Sequence, residues 1–200
     1  MKTFNLVLAG VGGQGTLLAA EILGTAAIEE GLDVRVSEIH GMAQRGGAVV
    51  SDVRIGDRVL SPTVVDGQAD VLLGFEPLET VRNLKYASEK TLVIMSDEKI
   101  PPTELAAKNR IYPRIEEIVE QIRCVTKDII IVETRRLAEK AGNSLAQNTV
   151  LLGALAAGQR LPIKKESLVR ALKELVPAKH LETNIKAFEL GYESAKRSRS

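Results

Sequence analysis

The segment that most constrains the fold lies at the start of the chain. An apolar run over residues 4–9 leads directly into a glycine-rich loop, Gly10-Val11-Gly12-Gly13-Gln14-Gly15, and an apolar-faced helix is predicted from Thr16 to about Glu30. Strand, glycine loop and helix in this order form the first half of a βαβ unit. Glycines permit positive φ angles and close backbone approach, and the free N–H groups at the helix start favour an anion. This segment therefore predicts an α/β fold with a ligand crevice at the carboxyl ends of its strands.

Length and charge narrow the class of protein. The chain has 200 residues and a formal net charge of +1, which predicts a single domain over residues 1–200 and argues against binding to nucleic acid or to an anionic membrane surface. No apolar run reaches the length of about 20 residues that crosses a bilayer. The N-terminus resembles no secretory leader, and the one cysteine, Cys124, permits no internal disulfide, so we expect a cytoplasmic location.

The remaining elements alternate as expected for such a fold. The sequence predicts strands at residues 33–37, 70–75, 91–95, around 110–112 and 128–132, and helices starting at 76 and spanning 114–123, 134–141, 144–157, 164–175 and 181–196. Residues 48–60 alternate apolar and polar on both sides of Gly56-Asp57, which predicts an antiparallel hairpin. The predicted fold class is a three-layer α/β/α domain, with a Rossmann-like mixed sheet, an antiparallel hairpin and a helical C-terminal part.

The glycine loop has more than one possible use. Gly10-x-Gly12-x-x-Gly15 matches the dinucleotide fingerprint, and Glu38 falls at the end of the second strand, where an acidic residue would hold a ribose. The hairpin predicted at 48–60 argues against this interpretation, because a dinucleotide fold has a helix there. The residues alone leave three alternatives: a nicotinamide or flavin site, an anion-binding loop of unspecified use, and a structural turn. A positive φ angle is expected at Gly12, which would make Gly12→Ala destabilising.

A second unusual segment follows the second strand. It combines an acid, an imidazole, an amide and a guanidinium in a glycine-hinged loop beside the crevice. The candidate crevice-loop or partner-contact residues are Glu38, His40, Met42, Gln44, Arg45 and Gly46, together with Asn148 on a later apolar helix. His40 could titrate near neutral pH and Arg45 could hold a carboxylate or a phosphate, while structural roles for both remain open. Asn148 needs partners once it is buried, and it could fix its helix against the glycine loop.

Several kinds of catalytic site have no motif in this sequence. The chain contains no Gly-x-Ser-x-Gly elbow, no paired-histidine metal motif and no Walker Gly-Lys-Ser/Thr. Cys124 ends a predicted helix without an activating neighbour and is interpreted as a core residue. We therefore assign no catalytic residue and no metal ligand. The candidates for ligand or phosphate contact are the loop residues Gly10, Gly12, Gly13, Gln14 and Gly15.

Taken together, these motifs resemble a known family. The glycine loop is followed by His40-Gly41-Met42-Ala43-Gln44-Arg45-Gly46-Gly47 and by Ser51-Asp52-Val53-Arg54. Further matches are Gly74-Phe75-Glu76-Pro77, Asn148-x-x-x-Leu152-Gly153 and Asn184-x-Lys186-Ala187-Phe188-x-x-Gly191. In this order and over nearly the whole chain, they are similar to the gamma-type domain of the 2-oxoacid:ferredoxin oxidoreductases. The form of the segment 40–47 most resembles the branch that oxidises arylpyruvates.

The resemblance implies a role in oxidative decarboxylation of an arylpyruvate, with coenzyme A as co-substrate and ferredoxin as electron acceptor. It also implies a large alpha subunit that carries thiamine diphosphate, magnesium and iron–sulfur clusters, so that this chain is the small subunit of a hetero-oligomer and reaches ferredoxin through the complex. The sequence agrees, because one cysteine cannot hold a cluster. No cofactor is expected on this chain alone.

Three hypotheses follow from the sequence. The first is the small subunit just described, with the gamma subunit of another 2-oxoacid:ferredoxin oxidoreductase as its near alternative. The second is a free-standing enzyme that binds NAD(P) or a flavin through the glycine loop and Glu38. The third is an anion-binding or assembly module without catalytic activity of its own.

Overall fold

The computed structural model describes residues 2–40, 46–101 and 111–199. Within these ranges the chain forms a mixed six-stranded sheet with helices on both faces, which confirms the three-layer α/β/α class. The strands are β1 (Phe4–Val11), β2 (Asp33–His40), β3 (Ala48–Gly56), β4 (Val71–Gly74), β5 (Leu92–Ser96) and β6 (Ile129–Val132). The helices are α1 (Thr16–Glu29), α2 (Pro77–Arg82), α3 (Ile115–Arg123), α4 (Thr134–Ala141), α5 (Gln147–Ala157), α6 (Lys165–Leu175) and α7 (Ala178–Ser198), with short 3-10 turns at Leu84–Tyr86 and Ser144–Ala146.

The strand order is β2-β3-β1-β4-β5-β6. Strands β1, β4, β5 and β6 run parallel, as in a doubly wound sheet, whereas β3 pairs antiparallel with both β1 and β2. Val53 of β3 stands opposite Leu6 of β1 and Val36 of β2. The antiparallel strand predicted from the alternation is therefore present, and it separates β2 from β1.

The predicted hairpin turn at Gly56-Asp57 is wrong. Residues 48–56 form one continuous strand, and residues 57–60 belong to no strand. The antiparallel neighbours in sequence are instead β2 and β3. Gly56 serves close packing, because a Cβ there would lie 3.3 Å from the α-carbon of Thr3. The alternation itself was interpreted correctly: Val53 and Ile55 enter the core, whereas Asp52 and Arg54 face the other side of the sheet.

Each face of the sheet has its own hydrophobic core. On one face, the apolar sides of α1, α4, α5, α6 and α7 cover β1, β3 and the parallel strands. On the other face, α3 and the segment after β3 cover them, with Ile118, Ile122 and Val64 among the buried side chains. Because both faces are covered, β4 and β5 are apolar at nearly every position, as the continuous runs in the sequence predicted.

The apolar helix predicted over residues 144–157 is also confirmed. It begins as a 3-10 turn at Ser144 and continues as α5, buried at nearly every position. Glycines let α5 and α7 approach until their backbones touch: a Cβ on Gly153 would lie 1.9 Å from the carbonyl oxygen of Phe188, and a Cβ on Gly191 would lie 2.0 Å from that of Val150. This contact packs the helical C-terminal part against the sheet.

Other predicted boundaries differ in detail. Strand β2 continues to His40, and α7 begins at Ala178 rather than at 181. The prediction of a strand around residues 110–112 is wrong for Ile111 and Tyr112, which lie outside any strand. Ile111 is almost fully exposed. Arg110 lies outside the described residues. In the described ranges, no helix combines the length and the apolar character needed to cross a membrane.

Candidate functional site

The glycine loop connects β1 to α1 and is held by a side chain from within it. The amide of Gln14 accepts a hydrogen bond from the backbone N–H of Val11 at 2.8 Å and donates one to the carbonyl of Phe75 at 2.8 Å. Phe75 directly follows β4, so Gln14 joins the carboxyl ends of two neighbouring parallel strands. The loop is therefore a fixed structure rather than an open coil.

The glycines of the loop have different physical roles. Positive φ angles occur at Gly13 (102°) and at Gly15 (76°), and Gly12 is not among the glycines with this conformation. The expectation of a positive φ at Gly12 is therefore wrong. At Gly10 the constraint is space, because a Cβ there would lie 2.8 Å from the Cβ of Phe75.

Gly12 takes part in a contact between the two candidate loops. Its N–H donates to the carbonyl of Gly47 at 2.9 Å, and its carbonyl accepts a longer bond of 3.5 Å from the N–H of Gly46. One of the N–H groups that a dinucleotide phosphate would use is thus already bonded within the protein. Gly12 therefore joins the glycine loop to the loop that follows β2.

The candidates that follow β2 are only partly described. Met42, Gln44 and Arg45 lie outside the described residues, and of His40 only the backbone is described, opposite Val49. Glu38 accepts a hydrogen bond from the hydroxyl of Ser51 at 3.3 Å. Because β3 lies between β2 and β1, Glu38 is two strands away from the glycine loop and not on the adjacent strand. This placement differs from that of a ribose-binding acid in a dinucleotide fold.

A cleft of about 280 Å³ lies at the carboxyl ends of the parallel strands, where ligands of open α/β sheets bind. The glycine loop forms one wall, the segments after β4 and β5 form the floor, and the start of α5 forms the opposite wall. Its lining residues are Val11, Gly12, Gly13, Gln14, Gly46, Phe75, Ser96, Glu98, Ile100, Ser144, Leu145, Gln147 and Leu151. The predicted crevice is therefore present, and Gly12, Gly13, Gln14 and Gly46 line it, whereas Gly10 and Gly15 lie behind them.

The floor of the cleft contains a hydrogen-bonded series of side chains that the sequence did not reveal. The hydroxyl of Thr134 donates to Oε1 of Gln147 at 2.8 Å and lies 2.6 Å from the hydroxyl of Ser96. Because the proton of Thr134 is used toward Gln147, Ser96 donates to Thr134, and Ser96 accepts from the N–H of Glu98 at 3.0 Å. Ser96 ends β5, Thr134 begins the helix after β6, and Gln147 begins α5. Their positions at the ends of a strand and of two helices are the only signal for them in the sequence.

Glu76 connects the segments beside this floor. It is fully buried, and its Oε2 caps α2 by accepting from the N–H of Glu79 at 2.9 Å. Its Oε1 accepts from the N–H of Ile100 at 3.2 Å and from the hydroxyl of Tyr112. Burial, followed by the hydrogen bond to Glu76, raises the pKa of Tyr112, so this hydroxyl keeps its proton and remains a donor.

Asn148 lies behind the glycine loop, on α5. Its side chain is 6% exposed, and a Cβ built on Gly15 would lie 2.6 Å from its Nδ2. The predicted proximity of this asparagine to the loop is thus present in the structure. Asn148 lines a second pocket of about 190 Å³ between the starts of α1, α5 and α7.

The described residues offer no evident set of metal ligands: no group of three or more His, Cys, Asp or Glu side chains within them could hold an ion. Cys124 is exposed and its thiol donates to the carbonyl of Glu120, so its assignment to the core is wrong. Ile122 belongs to the buried face of α3, and a residue two positions later is turned by about 200° to the opposite face.

Comparison with known proteins gives a consistent result over the whole chain. The model of the pyruvate ferredoxin/flavodoxin oxidoreductase family matches residues 5–194. The indolepyruvate oxidoreductase subunit IorB of Pyrococcus horikoshii is 41% identical over 200 residues, covering 98% of each chain. The common gamma subunit of the pyruvate/ketoisovalerate oxidoreductases of Pyrococcus abyssi is 30% identical, covering 92% of each chain.

A solved structure agrees with these relatives. The gamma subunit of the keto/oxoacid ferredoxin oxidoreductase from Geobacter sulfurreducens superimposes with a TM-score of 0.68 at 26% identity, over 96% of this chain and 98% of that chain. The two chains therefore share their fold over nearly their whole lengths.

Proposed function

The chain belongs to the pyruvate ferredoxin/flavodoxin oxidoreductase family, and we propose that it acts there as the small subunit of an indolepyruvate oxidoreductase. The observation that carries this proposal is its 41% identity, over 98% of both chains, to a subunit that bears this name. Identity to the common gamma subunit of the pyruvate/ketoisovalerate enzymes is lower, at 30%. The proposal therefore favours an arylpyruvate over pyruvate or a branched-chain oxoacid as the substrate of the complex.

In the proposed reaction, the bond between the carboxylate and the carbonyl carbon of the arylpyruvate breaks, and carbon dioxide leaves. The carbonyl carbon is oxidised by two electrons and joined to the sulfur of coenzyme A, whose thiol proton is released. The products are an arylacetyl-CoA and reduced ferredoxin, which takes up the two electrons. The residues of this chain do not fit the iron–sulfur cluster that such chemistry needs. Its one cysteine cannot ligate an iron–sulfur cluster, and the described residues provide no evident metal-ligand set. We therefore place thiamine diphosphate, magnesium and the clusters on a large alpha subunit.

The cleft at the glycine loop is the region that we assign to contact with the co-substrate or with the large subunit. Two features support this assignment. The glycine loop, which leads directly into α1, lines the cleft with Gly12, Gly13 and Gln14. The Ser96–Thr134–Gln147 series adds hydrogen-bonding groups to the cleft through Ser96 and Gln147, which line it. Arg45 and His40 remain proposed contacts of the same region.

The free-standing nicotinamide or flavin enzyme has weaker support. The N–H of Gly12 is bonded to Gly47, and β3 lies between β1 and the strand that carries Glu38. Calorimetric titration with NAD(H), NADP(H) and FAD separates the two hypotheses, because saturable binding of any of these nucleotides would support the free-standing enzyme.

Reconstitution tests the proposed function directly. The chain is purified alone, the thiamine diphosphate and iron–sulfur subunit is purified alone, and the two are mixed. We expect reduction of ferredoxin that depends on indolepyruvate and coenzyme A only in the mixture. Full activity of either protein alone, or a mixture that oxidises pyruvate but no arylpyruvate, would contradict the proposal.

A further inference from the structure

A second pocket, outside the cleft, combines features that call for an occupant. We name it the Asn148 pocket, and its volume is about 190 Å³. Apolar side chains make most of its wall, and its polar lining residues are Asn143, Asn148, His180 and Asn184. Leu145 lies between the two cavities and lines both of them. The pocket is therefore adjacent to the proposed ligand cleft but does not belong to it.

The side chain of Asn148 lacks a strong hydrogen bond although it is 6% exposed. Among the described residues, its one contact of this kind joins Oδ1 to the hydroxyl of Thr149 at 3.5 Å, and that hydroxyl gives its proton to Oδ1 of Asn184 at 2.6 Å. No described group accepts from Nδ2, which lies against Gly15 at the pocket. The only buried side-chain atom without a partner among the described residues is Oδ1 of Asp52, so Nδ2 of Asn148 is open to the pocket and presents an unused donor there.

Two helix starts add positive potential to the same pocket. Leu18 lies in the first turn of α1, while Pro177 and His180 lie at the start of α7. Neither helix has a side-chain cap or an acidic residue in its first turn. The positive ends of both helix dipoles therefore favour a negatively charged group, and the unused amide hydrogens of Asn148 favour an oxygen acceptor. A carboxylate satisfies both requirements.

The rim of the pocket indicates a polypeptide rather than a small molecule. Leu145 is 84% exposed, although it borders two cavities. A small ligand inside the pocket would leave most of this side chain in water. A polypeptide segment that lies across the mouth of the pocket would bury it, as apolar side chains at the core of an interface are buried.

We propose that the Asn148 pocket receives a carboxylate side chain of the large subunit, and that Leu145 is buried in the same contact. This inference rests on the proposed function, because it names where the partner polypeptide binds. Asn148 donates to the carboxylate, the starts of α1 and α7 stabilise its charge, and Leu145 supplies the apolar part of the interface.

The test measures assembly of the two subunits by surface plasmon resonance, with one subunit immobilised, at low and at high salt. We expect Asn148→Asp to weaken the complex by about tenfold or more, because a like charge replaces a donor in a buried contact. Leu145→Ser should also weaken it, whereas Leu60→Ser, a change at a leucine of similar exposure (81%), should not. Each variant is accepted only if its thermal unfolding matches the wild type. Hydrogen exchange on the wild-type complex should show protection at residues 144–149 and 177–181.

The outcomes are separable from those of the proposed function. If the wild-type subunits assemble and are active but Asn148→Asp and Leu145→Ser bind normally, the docking inference fails and the proposed function stands. If the wild-type subunits do not assemble at all, the proposed function fails. Self-association of the purified chain that Leu145→Ser abolishes would assign the pocket to a second copy, which also overturns the inference.

Discussion

The amide nitrogen of Asn148 lies 2.6 Å from the position that a β-carbon on Gly15 would occupy. Gly15 also has a φ angle of 76°, which L residues with a side chain rarely adopt. Gly15 is therefore required for two reasons. Its backbone has a positive φ angle, and Asn148 of α5, more than a hundred residues later in the chain, leaves no room for a side chain.

Gly15→Ala should separate these two requirements when it is compared with Gly31→Ala. Gly31 has the same φ angle of 76°, but no atom lies within 4 Å of a Cβ built there. We expect both variants to lose about 1–2 kcal/mol of unfolding free energy from the backbone conformation. Gly15→Ala should lose roughly 1–3 kcal/mol more, because Asn148 must move. Urea unfolding measures both values, and equal losses would contradict the close contact.

Gly153→Ala tests the contact between α5 and α7. The new Cβ would lie 1.9 Å from a backbone oxygen, so the helices must separate, and a loss of roughly 3 kcal/mol, the upper end of the usual range for overpacking, is expected. Gly24→Ala in α1 is the matched control. No atom lies within 4 Å of its Cβ, and helix propensity favours alanine by about 1 kcal/mol. Thermal unfolding should therefore move in opposite directions for the two variants.

Tyr112→Phe should weaken the network around Glu76. The tyrosine hydroxyl donates to the buried carboxylate and accepts from the N–H of Leu78 at 3.1 Å. Removal of the hydroxyl leaves the carboxylate of Glu76 and the N–H of Leu78 without this partner. We expect the free energy of unfolding to fall by about 1–3 kcal/mol. In Tyr192→Phe the ring that Lys165 contacts is retained, so a change within about 0.5 kcal/mol is expected. A similar small change in Tyr112→Phe would show that the Glu76 network does not depend on the hydroxyl.

Asp52 should make stability depend on pH. Its carboxylate is buried against β1, with Oδ2 accepting from the N–H of Val64 at 2.9 Å and Oδ1 without a partner among the described residues. Burial raises the pKa of Asp52 in the folded state. The stabilising contribution of the protonated form is then fully present below the pKa of the unfolded chain, 3.8, and is lost as the pH rises through the raised folded-state pKa.

Comparison with Asp52→Asn isolates this contribution. The asparagine cannot ionise, while the other carboxyl groups titrate in both proteins, so the variant should gain stability relative to the wild type between about pH 4 and pH 7. Urea unfolding at several pH values measures the difference. A difference that stays constant, or that falls as the pH rises, would contradict a raised pKa at Asp52.

The local parts of the fold could be predicted from the sequence because their signals are local. The strand, the glycine loop and α1 follow from residues that are neighbours in the chain, and the two-sided burial of β4 and β5 follows from their continuous apolar runs. The position of β3 was not predictable in the same way. Alternation predicts a strand over residues 48–56, but it contains no information about which strands lie beside it or about the burial of Ser51 and Asp52.

In the candidate site, too, the local features were predictable from the sequence and the long-range contacts were not. The crevice and the glycine loop as its wall follow from the βαβ pattern. The Ser96–Thr134–Gln147 series joins residues that are up to 51 positions apart in the chain, so no periodicity could bring them together. Positive φ was expected at Gly12 because glycine permits it, whereas the structure uses it at Gly13 and Gly15. Composition indicates which conformations are allowed, and packing decides which one occurs.

The antiparallel strand β3 also limits what can be engineered on this scaffold. Adjacent strands lie about 4.8 Å apart, so β3 places β2 about 10 Å from β1. Installing a nicotinamide cofactor on the glycine loop by point substitutions would therefore leave its ribose without an acidic neighbour at the proper distance. Such a redesign has to remove an entire strand, and with it Val53 and Ile55 of the core.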